Sequence, residues 1–337
     1  MNWLILVAIA VIADSSRIFI DNYISDCYFK GKMAVAQKYY YCFSFIILGI
    51  ICAITAGIDF TAVPFHVYLL FILSGACSVI AGIPYYKALE LSDTTDFGIF
   101  VQLSPIVYLI LGWLFLGQSI TPVQLVAFLI IISAPFLIIV TTKKRSRTIR
   151  MRAAFYAFLN VLIVAIGAMI FVGQNTTELN FVTEMGFVFI GKGLGNCIIM
   201  ALAPKWRKRY HFVSKSTHHK VLRPPTATFI ACILKDFATN LALILAPSVA
   251  LVSAISDSSK PIFIFFMGIL FTLLWPKFGR EKLNKKTILV HLIATVLVVI
   301  GSVLFNSYKY DIIYNIWCFG GVVTQRSAKP RTPVQFR

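Results

Sequence analysis

The sequence predicts an all-α polytopic membrane protein, with ten transmembrane helices in two inverted five-helix repeats. Three observations predict it: an excess of apolar residues, ten apolar runs of membrane-spanning length, and matching Ser, Pro and Gly positions in the two halves. Of the 337 residues, 59% are apolar and 13% are charged. Soluble domains run roughly 45–50% apolar and about 25% charged. So few polar residues do not cover a soluble protein of this size. This excludes a soluble enzyme, a disordered chain and a nucleic-acid-binding domain, although the formal net charge is +18.

The apolar runs fall at 2–21, 39–57, 65–86, 95–117, 121–141, 153–173, 181–203, 226–246, 249–275 and 287–306. In lipid every backbone donor and acceptor must find an internal partner, so runs of this length read as helices. Each is long enough to cross a hydrocarbon core of about 30 Å at a rise of about 1.5 Å per residue. The first run is interrupted by Asp14, Ser15, Ser16 and Arg17 and resumes at Ile18. No basic segment precedes it, so it reads as a polar-interrupted helix rather than a signal peptide. The links Gly117 to Thr121 and Pro247 to Val249 are short and force antiparallel neighbours.

Basic residues sort by connection. Lys30, Lys32, Lys38, Lys87, the cluster within 143–152, the cluster within 205–223 and the cluster within 277–286 all lie on odd-numbered connections. The even-numbered connections carry none. Odd-numbered loops are therefore expected in the cytoplasm of a cell, with the chain in its inner or plasma membrane and the N-terminus outside. His211, His218 and His219 share the longest of these loops, without a carboxylate nearby, so a solvated basic loop is expected and no metal site. Asn175-Thr176-Thr177 matches a glycosylation sequon on the expected outer side. The seven cysteines form no C-x-x-C and read as small core residues. The stretch Ile312 to Val323 is apolar but short, and leaves open an interfacial segment, a disordered extension or an eleventh crossing.

Residues 91–113 align with 247–269 at one constant offset: Ser92 with Ser248, Pro105 with Pro261, Gly112 with Gly268. Five helices per half would reverse the direction of the second, so the repeat is expected to be inverted, an architecture of secondary transporters. The expected organisation is 1–142 as the first repeat, 143–152 as a basic linker, 153–306 as the second repeat and 307–337 as a tail. Pro105 and Pro261 within helices would each remove a hydrogen bond and could kink or gate, or simply pack. Gly112 and Gly268 would permit close helix contact.

Ionisable residues inside membrane helices are candidate functional sites. Asp14 and Arg17 are three apart and can pair on one helical face, and Asp257 and Lys260 repeat that spacing. Lys192 and Asn196 share a face, Gln102 and Ser104 precede Pro105, and Glu184, Lys235, Asp236, Asn240 and His291 are further intramembrane polar positions. Lys260 immediately precedes Pro261 and matches Ser104 in the other half. It could hold an anionic group, or Asp257 could simply neutralise it. No P-loop, H-E-x-x-H or G-x-S-x-G occurs, so neither an ATP-driven motor nor an enzyme is expected, and no cofactor.

The stretch from Ala88 to Leu125 carries Ala88-Leu89, Pro105, Gly112, Gly117 and Gln124. In these positions it resembles the EamA-type permeases of the drug/metabolite transporter superfamily, with Gln118 where that family usually has Glu. The second half keeps Ala242-Leu243, Pro261 and Gly268. The resemblance implies ten helices, alternating access and movement of small metabolites. Its members commonly have a cytoplasmic N-terminus, opposite to the charge bias here. The expected function is a secondary active transporter of a small polar metabolite, such as an amino acid or organic anion. The expected partners are membrane lipid, that substrate and a coupling proton or counter-substrate. The alternative is an integral-membrane interaction protein that keeps the carrier fold without transporting.

Overall fold

The computed structural model describes residues 2–24, 33–57, 63–91, 104–118, 121–140, 147–175, 179–202, 223–274 and scattered positions between 289 and 304. The elements among them are all helices: α1 (Trp3–Ile24), α2 (Met33–Ala56), α3 (Phe65–Ile80), α4 (Gly82–Leu91), α5 (Ser104–Leu116), α6 (Pro122–Val140), α7 (Arg147–Gln174), α8 (Phe181–Leu202), α9 (Arg223–Leu245) and α10 (Val249–Leu274).

The all-α class holds, but ten spans in two inverted five-helix repeats do not. Among the described residues, four segments are long and apolar enough to cross a bilayer: Phe65–Tyr85, Ala154–Gln174, Phe181–Leu202 and Thr226–Leu245. Tyr41–Ala56 and Ser104–Leu116 are shorter apolar helices. The physical reasons lie in individual runs. The 13 residues of α5 reach only about 20 Å at the α-helical rise, short of a bilayer core of about 30 Å. The run 65–86, by contrast, remains one spanning segment, Phe65–Tyr85, although it is divided at Ala81 between α3 and α4. Pro84 has no N–H to bond the carbonyl four residues back, and Asn160 of α7 donates to the Ala81 carbonyl at 2.8 Å. The first and ninth runs carry Asp14 with Arg17 and Asp257 with Lys260 in their interiors. Most of the tenth run, 287–306, lies outside the described residues, as do Gln102, the histidine loop and the tail. The expected basic linker 143–152 is partly helical, because α7 already begins at Arg147.

Two packing arrangements place the polar residues. In the first, α8 lies against α2 and α3. Its sequence F-V-T-E-M-G-F-V-F-I-G-K-G-L-G-N supplies four glycines that let backbones approach. A Cβ on Gly191 would overlap the Ile72 carbonyl of α3, and one on Gly186 would sit 2.9 Å from the Gly49 carbonyl of α2. In the second, α1 packs on α9 and α10, and α10 in turn on α5 and α6. Aromatic rings fill the space between α2, α8 and α9: Phe45 stacks on Phe189 with centroids 5.6 Å apart and meets Phe229 edge-on at 4.9 Å. Large apolar side chains such as Ile54, Phe65, Trp113 and Phe115 project outward, on faces that lipid would cover.

Candidate functional site

The charged residues form two neighbouring groups between helices. In the first, Arg17 donates from Nε and Nη2 to Asp14 Oδ1, at 3.0 and 2.9 Å. The i,i+3 spacing on α1 makes this pair local. Lys260 of α10 then joins it from another helix: its Nζ lies 3.2 Å from Asp14 Oδ2 and 2.9 Å from Asp257 Oδ1. The second oxygen of Asp257 accepts from Ser253 at 3.0 Å and from Ser104 at the start of α5. Ser104 and Ser253 are themselves 3.3 Å apart. Asp257 therefore ties α5 to α10, and Lys260 ties α10 to α1.

In the second group, Lys192 of α8 meets Asp236 of α9 at 2.5 Å, with both side chains buried. Lys192 Nζ also lies 5.7 Å from the Phe45 ring centroid, a cation–π position. Lys235 approaches the other oxygen of Asp236 at 3.5 Å. The two groups are neighbours because α1 packs on α9. Asn196 shares the helix of Lys192 but donates to the Lys192 carbonyl at 3.0 Å, so its amide serves the backbone of α8 rather than the ammonium.

The proline and glycine positions have local explanations. Pro105 is the second residue of α5 and is buried. Pro261 lies inside α10, which continues through Gly268 to Leu274. Gly117 has φ +60°, a left-handed conformation that favours glycine. It turns the chain so that the Gln118 N–H reaches the Gly112 carbonyl at 3.1 Å. The Gln118 side chain then lies over Gly112, where a Cβ would meet Oε1 at 3.0 Å. That same Oε1 accepts the Val249 N–H at the first residue of α10, at 3.1 Å. The spacing G-x-x-x-x-G-Q thus builds a connector between the end of α5 and the start of α10, satisfying one of the orphan donors there.

The structure brings together Asp14, Arg17, Ser104, Asp257 and Lys260, and pairs Lys192 with Asp236 in the second group. Asp236, Lys235 and Gln118 are partners that spacing along the chain did not indicate, whereas Ser253 sits four residues before Asp257 on one helix. A signal existed for Asp236 and Lys235, as charges within an apolar run, but nothing local pairs residue 192 with 236. A further pair lies away from this cluster: Asn175 donates to both oxygens of the buried Glu184, at 3.0 and 2.9 Å. Among the described residues, no group of three or more His, Cys, Asp or Glu could hold a metal ion.

Apolar helices of spanning length with ionisable side chains gathered between them define an integral membrane protein. Residues 32–140 match the EamA-like transporter family. One solved crystal structure, described only as that of a protein, has 13% sequence identity and a TM-score of 0.64 over 91% of this chain and 97% of its own. That likeness is one of fold. No curated protein matches the sequence.

Proposed function

We propose that the protein is a secondary active transporter moving a small polar metabolite with a negative group, an amino acid or an organic anion, by alternating access. The observation that carries this reading is Lys260, held between Asp14 and Asp257 where three helices meet. Ionisable groups in membrane segments are costly and persist where they face a pathway or each other. The two groups contain Arg17, Lys192, Lys235 and Lys260 against Asp14, Asp236 and Asp257, an excess of positive charge that suits an anion. Lys260, Arg17, Asp14, Asp257 and Ser104 are the proposed substrate-facing residues, with Gln102 beside them in sequence and Lys192 and Asn196 behind them. The tie from Asp14 to Lys260 and the tie from Ser104 to Asp257 both run between the portions 1–142 and 153–306. Movement of these portions against one another would break and remake them. A proton or a counter-substrate would drive the cycle, in the inner or plasma membrane of a cell, with the basic stretches 143–152 and 205–223 in the cytoplasm.

The fully buried Lys192–Asp236 pair favours a second reading, an interaction protein whose charges only hold helices together. Proteoliposomes containing the purified chain separate the two. Counterflow of labelled amino acids and organic anions is expected, and its loss in Lys260→Ala. No accumulation of any class above protein-free vesicles would overturn transport and leave the interaction protein.

A further inference from the structure

The Asp14 carboxylate occupies a cradle of cations drawn from two helices. Both Arg17 donors converge on Oδ1, and Lys260 faces Oδ2. The carboxylate is buried, whereas the Arg17 and Lys260 side chains keep 29 and 25% of their surface exposed. The cations therefore reach outward past the anion they surround. Partly exposed cations in a membrane protein line polar space rather than lipid. Next in sequence to Asp14 and Asp257, Ser15 and Ser258 are buried with hydroxyls that find no partner among the described residues.

We propose that Asp14 is an internal occupant of a carboxylate-binding site, and that the carboxylate of the ligand displaces it. A guanidinium donating to one oxygen and an ammonium to the other matches a planar carboxylate. Replacement of Asp14 by a ligand carboxylate conserves the local charge while releasing α1 from Lys260. This rests on the transporter reading, which supplies the ligand; the cradle itself is tested without transport.

The test is chemical rescue of full-length Asp14→Ala in detergent. The variant and the native protein are melted in rising sodium acetate, with sodium chloride and sodium phosphate at matched ionic strength. Acetate is expected to raise the melting temperature of Asp14→Ala saturably by about 2 °C or more, the size expected for a probe at roughly tenfold excess over its Kd. Native protein should shift by less than half as much. If the variant aggregates without acetate, recovery of monodisperse protein with acetate is the same result. Aggregation in both, an equal response of the native protein, or an equal effect of chloride or phosphate would overturn the proposal. Rescue without vesicle uptake would remove the transport reading alone; uptake without rescue would remove the role of Asp14 alone.

Discussion

Lys260 of α10 reaches across a helix interface to Asp14 of α1, its Nζ 3.2 Å from Oδ2, while holding Asp257 of its own helix at 2.9 Å. One ammonium thereby neutralises two carboxylates on different helices. Distant segments of the chain meet at this point, and Ser104 and Ser253 join it through Asp257.

Lys260→Ala should abolish vesicle uptake of an anionic substrate. Removing one partner of a buried pair costs about 3–5 kcal/mol. Partial exposure of Lys260 screens that cost to about 1–2 kcal/mol. The fold should therefore survive, visible as a monodisperse peak with a lowered melting temperature. The charge-balanced double variant Asp257→Asn/Lys260→Gln should recover stability but not uptake. Uptake at the native rate by either variant would remove Lys260 from the site.

The pair of Lys192 and Asp236 should behave as structure. Both groups are buried, so Asp236→Asn leaves an uncompensated ammonium and should cost about 3–5 kcal/mol. The apolar double variant Lys192→Met/Asp236→Leu should recover most of that loss. Thermal melts of the three proteins in one detergent measure it. A double variant as unstable as the single one would show that these charges do more than neutralise one another.

Gly191 is expected to tolerate no side chain. A methyl group there overlaps the Ile72 carbonyl, a backbone atom that moves only with its helix. Gly191→Ala should therefore destabilise by about 1–3 kcal/mol through overpacking. Gly173→Ala is the control, since its Cβ would meet only Leu116 Cδ2 at 3.6 Å. That variant should stay within about 0.5 kcal/mol of native. Equal melting temperatures for both variants would contradict the close approach of α3 and α8.

Asn175 is expected to matter through its amide. Its Nδ2 serves both oxygens of the buried Glu184. Asn175→Ala withdraws those donors and should cost about 1–3 kcal/mol. Asn175→Ala/Glu184→Ala should be less destabilised than Asn175→Ala alone, because no carboxylate remains to be served. A double-mutant cycle of melting temperatures reads the coupling between them.

Composition and apolar run length were enough to establish a helical membrane protein and the sequence regions of its helices. They were enough because the cost of an unsatisfied backbone in lipid is set residue by residue along one segment. The same local arithmetic found Asp14, Arg17, Asp257 and Lys260, since any charge inside an apolar run stands out, and it paired Asp14 with Arg17 because i,i+3 neighbours share a face. It overcounted the crossings. An apolar run does not reveal that the described α5 is too short to span. Nor did it join Lys260 to Asp14, Lys192 to Asp236, or Gln118 to Val249. Those partners lie on different helices, and the approach that unites them depends on how α1, α5, α8, α9 and α10 pack. Which charges exist was written in the chain; which of them neutralise each other was decided by helix packing, because an ion pair depends on a distance of a few ångströms that no spacing along one helix specifies.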